Sequence, residues 1–125
     1  MTPSDELGKK RKDLVLAAEK VIKTAFHSGR KLELKKTQLN HLVGICGEAS
    51  CAEEIENYIR YQAGRRSDKT GWDLELAKSV IAAVAPILDG AQDAVKLDAW
   101  RLYTVYLTRA FTYEHASADT RGTQR

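Results

Sequence analysis

Apolar residues recur at helical spacing along most of this chain. Leu14, Ala17, Ala18, Val21, Ile22, Ala25 and Phe26 trace one stripe, while Lys20, Lys23 and His27 share another face. Ser4, followed by Asp5 and Glu6, predicts the start of this first helix, and Ser28-Gly29 predicts its end. Arg30 to Lys36 reads as a basic connector held down by Leu32 and Leu34. Thr37 then predicts the cap of a second helix, Gln38 to about Cys46, with Leu39, Leu42, Val43 and Cys46 inward. Gly47-Glu48-Ala49 breaks the chain, and Ser50-Cys51-Ala52-Glu53 has the spacing of a capping box. The third helix should run from there to Ala63 and stop at Gly64, with Ile55, Tyr58, Ile59 and Ala63 facing a core. Arg65 to Gly71 is polar throughout and predicts an exposed loop. A fourth helix carries Leu76, Ala77, Val80, Ile81, Val84, Ile87 and Leu88, and Pro86 should kink it or begin a new turn. After Asp89-Gly90 a fifth helix spans roughly Ala91 to His115. Leu97, Trp100, Leu107 and Phe111 mark its packed side, and Tyr106, Arg109 and Tyr113 share another. The pattern predicts an all-α fold, a compact bundle of about five helices, with residues 1–12 and 117–125 flexible.

Length sets the scale of this bundle. At 125 residues the chain can build one core and one domain. Its formal charge of +3 and pI near 8.9 are too modest for a strong overall field, so any contact with a polyanion must come from local clusters. No apolar run is long enough to span a bilayer, and Met1-Thr2-Pro3-Ser4 does not open a signal peptide. These features predict a cytoplasmic protein with no membrane partner. Cys46 and Cys51 do not make a disulfide framework.

Catalytic and metal chemistry find little to work with. His41, Cys46 and Cys51 are spaced five apart, without the tight cysteine pair or the fourth ligand of a zinc site. Glu53 and Glu56 form an E-x-x-E pair that could hold magnesium, as in all-helical MazG-type nucleotide pyrophosphohydrolases. That chemistry needs a second pair on a facing helix, and Asp73 and Glu75 are two apart and point to different faces. The histidines His27, His41 and His115 sit in separate helices, and the glycines are isolated helix terminators. The chain therefore reads as non-enzymatic, with neither metal nor cofactor expected.

Basic residues cluster more informatively. Tyr58-Ile59-Arg60-Tyr61-Gln62-Ala63-Gly64-Arg65-Arg66 crowds three guanidiniums and two rings at one helix end. Arginine forks suit phosphate, and neighbouring rings suit stacked bases. The same composition also describes an ordinary solvated helix end. Lys35 and Lys36 stand just before the second helix, whose N-terminal amides favour an anion. Lys9-Lys10-Arg11-Lys12 cannot occupy one face and reads as solvated.

Three segments together resemble the small helical subunit of type III-A CRISPR effector complexes, the Csm family. Lys35-Lys36-Thr37-Gln38-Leu39 is similar to the family's threonine–glutamine helix start. Tyr58-Ile59-Arg60-Tyr61-Gln62-Ala63-Gly64-Arg65 looks like its third helix, where a Leu-Ala-Tyr run leads to a small residue and an arginine. Phe111-Thr112-Tyr113-Glu114-His115 is similar to the aromatic–Ala-x-x-Ala-Tyr-His ending of its last long helix. The ordered set covers about Leu14 to His115. It departs at Asn40, where the family usually has a basic residue, and at Ala116, where it has lysine. The resemblance implies a non-catalytic subunit that stacks with copies of itself and with other effector subunits, lining the channel for guide RNA and target RNA. Lys35, Lys36, Gln38, Arg60, Arg65, Arg66, Arg109 and Tyr113 are the expected RNA-facing set. The alternative from another class is a helical adaptor that binds only protein partners. An exposed apolar patch without a continuous basic strip would distinguish it.

Overall fold

The computed structural model describes the backbone of residues 2–123 and the side chains of residues 2–118. Six helices follow in order: α1 (Pro3–Phe26), α2 (Lys36–Glu48), α3 (Ala52–Gly64), α4 (Ser67–Thr70), α5 (Leu74–Leu88) and α6 (Asp93–Thr123). The all-α bundle read from the periodicity is therefore present, with α4 added as a single turn. α6 is the axis, and α1, α2, α3 and α5 all pack on it. α1 also lies against α5, and α3 bridges α5 and α2.

The predicted stripes supply the core. Leu14, Ala18, Val21, Ile22 and Ala25 of α1 are buried, as are Leu39, Leu42 and Cys46 of α2 and Ile55, Ile59 and Ala63 of α3. They meet Trp100, Tyr103, Leu107 and Phe111 of α6. Phe26 and Phe111 touch edge to face with centroids 5.4 Å apart, joining the end of α1 to α6. Tyr103 is fully buried and donates its hydroxyl to the Val80 carbonyl at 2.7 Å, so α6 is tied to α5. Trp72, just past the polar 65–71 stretch, is also buried.

Most helix ends differ from the sequence reading by one or two residues, and the end of α6 by eight, each for a local reason. Thr2, not Ser4, caps α1: its Oγ1 accepts from the Asp5 amide at 3.2 Å while Asp5 accepts from the Thr2 amide at 3.4 Å. Pro3 then occupies the first turn, where its missing N–H costs nothing. α2 begins at Lys36, because Gln38 turns its Oε1 back to the Lys35 amide at 2.9 Å. Thr37 therefore lies inside the first turn and is not the cap. The expected Ser50–Glu53 box does not form. Cys51 is the N-cap residue of α3, and Glu54 accepts from the Ser50 amide at 2.6 Å. α5 runs through Pro86 to Leu88. A proline in the last turn forfeits only one backbone bond, and Lys10 of α1 donates to the Ile87 carbonyl there at 3.0 Å. α6 continues past His115 to Thr123, since no helix breaker precedes Gly122. Of the segments expected to be flexible, residues 3–12 are helical from Pro3 and 117–123 extend α6, while Met1 and residues 124–125 lie outside the described residues.

Arg65 to Gly71 is more structured than the loop its polarity predicts. Thr70 is buried and donates from Oγ1 to the Gln62 carbonyl at 2.9 Å, while accepting from the Trp72 amide at 3.2 Å. One threonine thus adds a second donor to the Gln62 carbonyl, which also accepts from the Arg65 amide at 3.3 Å, and turns the chain inward to bury Trp72. Gly71 ends this turn at φ +77.

Candidate nucleic-acid interface

A groove of about 190 Å³ opens where α2, α3 and α4 meet, lined by Gln38, His41, Tyr58, Gln62, Arg65, Lys69, Thr70 and Trp72. Each helix contributes by its period. Gln38 and His41 are three apart on α2, and Tyr58 and Gln62 are four apart on α3 with Arg65 following. Thr70 and Trp72 hold the α4 turn against the end of α3, which brings Lys69 to the rim. His41, Arg65 and Lys69 are exposed, and none of the lining residues is acidic. Arg65 lies over the Tyr61 ring at 5.6 Å from its centroid and donates to Gln62 Oε1 at 3.4 Å. Its guanidinium is therefore steered without a carboxylate to neutralise it. Tyr61 itself is 62 % exposed.

Gln38 joins this groove to the N-terminus of α2. Its Oε1 is committed to Lys35, which leaves the side-chain amide to donate outward. The Gln38 and Leu39 amides turn to the Lys35 carbonyl at 3.1 and 3.4 Å. The Lys36 and Thr37 amides have no helical partner, and the side chains of Lys35 and Lys36 are exposed beside them.

The remaining expected residues fall elsewhere. Arg66 precedes α4 and pairs with Asp68 at 2.8 Å. Arg60 pairs with Glu56 at 3.3 Å and lines a different groove, mostly apolar, with Ala63, Leu74, Ala77, Lys78, Ile81 and Ala82. Arg109 and Tyr113 line a third groove between α1 and α6. The eight residues are thus divided: Lys35, Lys36, Gln38 and Arg65 belong to one edge, Arg66 stands near it in an ion pair, and Arg60, Arg109 and Tyr113 do not join them.

Of the eight lining residues, Gln38 and Arg65 belong to the expected RNA-facing set, and His41, Tyr58, Gln62, Lys69, Thr70 and Trp72 do not. The i+3 spacing of His41 from Gln38, visible in the sequence, puts both on one face of α2. Lys69 falls in the stretch whose polarity predicts a loop, and the Thr70 contacts that build α4 bring it to the groove. Among the described residues no three histidine, cysteine, aspartate or glutamate side chains gather to hold a metal ion. Among the same residues no helix is long and apolar enough to cross a membrane. The chain matches no protein-family model, no curated protein and no solved structure.

Proposed function

We propose that this chain is a non-catalytic, RNA-binding small subunit of a type III CRISPR interference complex, acting beside copies of itself and other effector subunits along the guide RNA–target RNA channel. The observation that carries the RNA reading is the α2/α3/α4 groove, where His41, Arg65 and Lys69 converge with no carboxylate in the lining. Phosphate binding needs donors whose charge is not already spent, and Arg65 and Lys69 meet that need. Gln38 and Gln62 add neutral donors suited to a phosphate or a 2′-hydroxyl. A net charge of +3 suits a few weak backbone contacts per copy, with affinity built up by repetition along an assembly. Sequence would be read by pairing with the guide, leaving shape and backbone to the protein. The assignment to a CRISPR complex rests on the resemblance of the three segments.

The test is binding of single-stranded RNA across a salt series, with an Arg65→Ala/Lys69→Ala variant alongside. The log–log slope should fall by about 1.4 in the variant, since each single-strand phosphate contact contributes about 0.7. Binding absent at low salt, or slopes unchanged in the variant, would count against the reading.

One observation favours the protein-only adaptor. Leu74 is 63 % exposed in the groove it shares with Ala63, Ala77, Ile81 and Ala82. Pull-down of a protein partner lost in Leu74→Asp, from a chain that binds no RNA, would favour that reading.

A further inference from the structure

The groove between α1 and α6 differs in kind from the phosphate-suited one. It encloses about 480 Å³ and is lined by Val15, Glu19 and Lys23 of α1 with Tyr106, Arg109, Ala110, Tyr113 and Glu114 of α6. Arg109 lies over the Tyr106 ring at 5.9 Å from its centroid, forming a cation–aromatic unit. Tyr113, one helical turn on, is 69 % exposed, a large ring with no core to fill. Two carboxylates stand beside these rings, Glu19 and Glu114. Glu114 is nearly buried and held by His27 Nε2 at 3.4 Å. Two acids and two bases leave no excess positive charge, so a bare phosphate gains little here. A neutral, flat ligand bearing N–H donors gains on both counts, from stacking on Tyr113 or the Arg109–Tyr106 unit and from donation to a carboxylate.

We infer that the α1/α6 groove is a stacking subsite for one unpaired RNA base, with Tyr113 and the Tyr106–Arg109 pair as its platform. The inference rests on the RNA-binding reading above and adds a contact different in kind. Every base presents a π face, so the subsite tolerates any sequence, as a protein that leaves readout to pairing requires. Lys23, on the rim, is placed for the phosphate next to the stacked base.

The test compares a single-stranded oligoribonucleotide with an abasic oligoribonucleotide of the same length, by fluorescence anisotropy with the full chain. Both carry the same phosphates, and only one carries bases. The base-bearing strand should bind at least about fivefold more tightly. Tyr113→Ala should erase that difference and Tyr113→Phe should retain it, whereas Arg65→Ala/Lys69→Ala should weaken both strands alike. Tyr113 is exposed, so its replacement leaves the core intact. Equal binding of both strands by the unaltered chain would overturn the base subsite while leaving phosphate binding standing. Binding of neither strand would overturn both.

Discussion

The guanidinium of Arg101, on α6, donates from Nε to the Cys46 carbonyl at 2.9 Å and from Nη2 to the Ala49 carbonyl at 3.4 Å. Asp98 holds the same side chain through Nη1 at 3.1 Å. Carbonyls at a helix end lack intrahelical donors, and Arg101 supplies two of them with charge-assisted partners. Arg101→Met should therefore lower stability by about 1.5–3 kcal/mol. Arg101→Lys, a point charge without the fork, should recover less than half. Urea unfolding checks both, and a loss below about 0.5 kcal/mol for the methionine variant would show that water caps α2 equally well.

The same neighbourhood shapes Cys46. Burial pushes its thiol from 9.0 up to about 11, outweighing the hydrogen bond with Thr104 and the Arg101 charge. The folded chain then holds this proton more tightly than the unfolded chain. Its contribution to stability is complete below pH 9 and is lost as pH rises toward 11. A thiolate-specific reagent at pH 8 should titrate half-exposed Cys51 readily and Cys46 only after denaturation. Equal rates for both in the folded protein would contradict this burial.

Gly71 turns back with φ +77, and a Cβ there would stand 3.1 Å from Leu34 Cα and 3.2 Å from two carbons of Gln38. Gly71→Ala should cost about 1–2 kcal/mol for the left-handed backbone alone. Crowding Gln38 should add to that and disturb the groove. A fall in melting temperature of about 5–10 °C, with weaker RNA binding, is expected. An unchanged melt would mean that α4 re-forms around the new side chain.

Arg60 and Arg65 should not be equivalent. Arg60 lies within α3, whereas Arg65 is the extended residue just past its end, so the two side chains leave in different directions. Arg60 pairs with Glu56 beside an apolar groove, whereas Arg65 faces His41 and Lys69 without a carboxylate. Arg65→Ala should reduce the salt slope of RNA binding, and Arg60→Ala should leave it nearly unchanged. The reverse result would move the RNA-facing edge to the α3/α5 side.

Asp73 joins two tasks. It caps α5 by accepting from the Leu76 amide at 2.7 Å, and it receives Arg30, which also meets Glu75 at 3.3 Å. Asp73→Ala should cost about 2 kcal/mol, the sum of a lost cap and a partly buried guanidinium left with one acid. Asp73→Asn keeps the cap and should cost about half as much, measured by denaturant unfolding.

Much of the architecture was legible beforehand because it is local. A stripe such as Leu14, Ala18, Val21, Ile22 and Ala25 can bury itself only as a helix face, whatever it packs against. Cap positions were less legible, since Ser4 and Thr2, or Glu53 and Glu54, compete for the same amides within one turn. The α4 turn was not legible at all, because Thr70 stabilises it through a carbonyl eight residues away.

The sequence by itself determined the five longer helices, most of their buried faces and which residues carry charge. Periodicity and composition are properties of short stretches, and burial follows from them. Tertiary packing decided which charges share a surface. His41 of α2, Arg65 just past α3 and Lys69 of α4 converge because Trp72 and Thr70 lock α4 onto α3. Arg60, nearer to Arg65 in the chain than His41 is, turns to another groove. Convergence depends on crossing angles and rotation about each helix axis, which are set by how whole faces pack and not by any one segment.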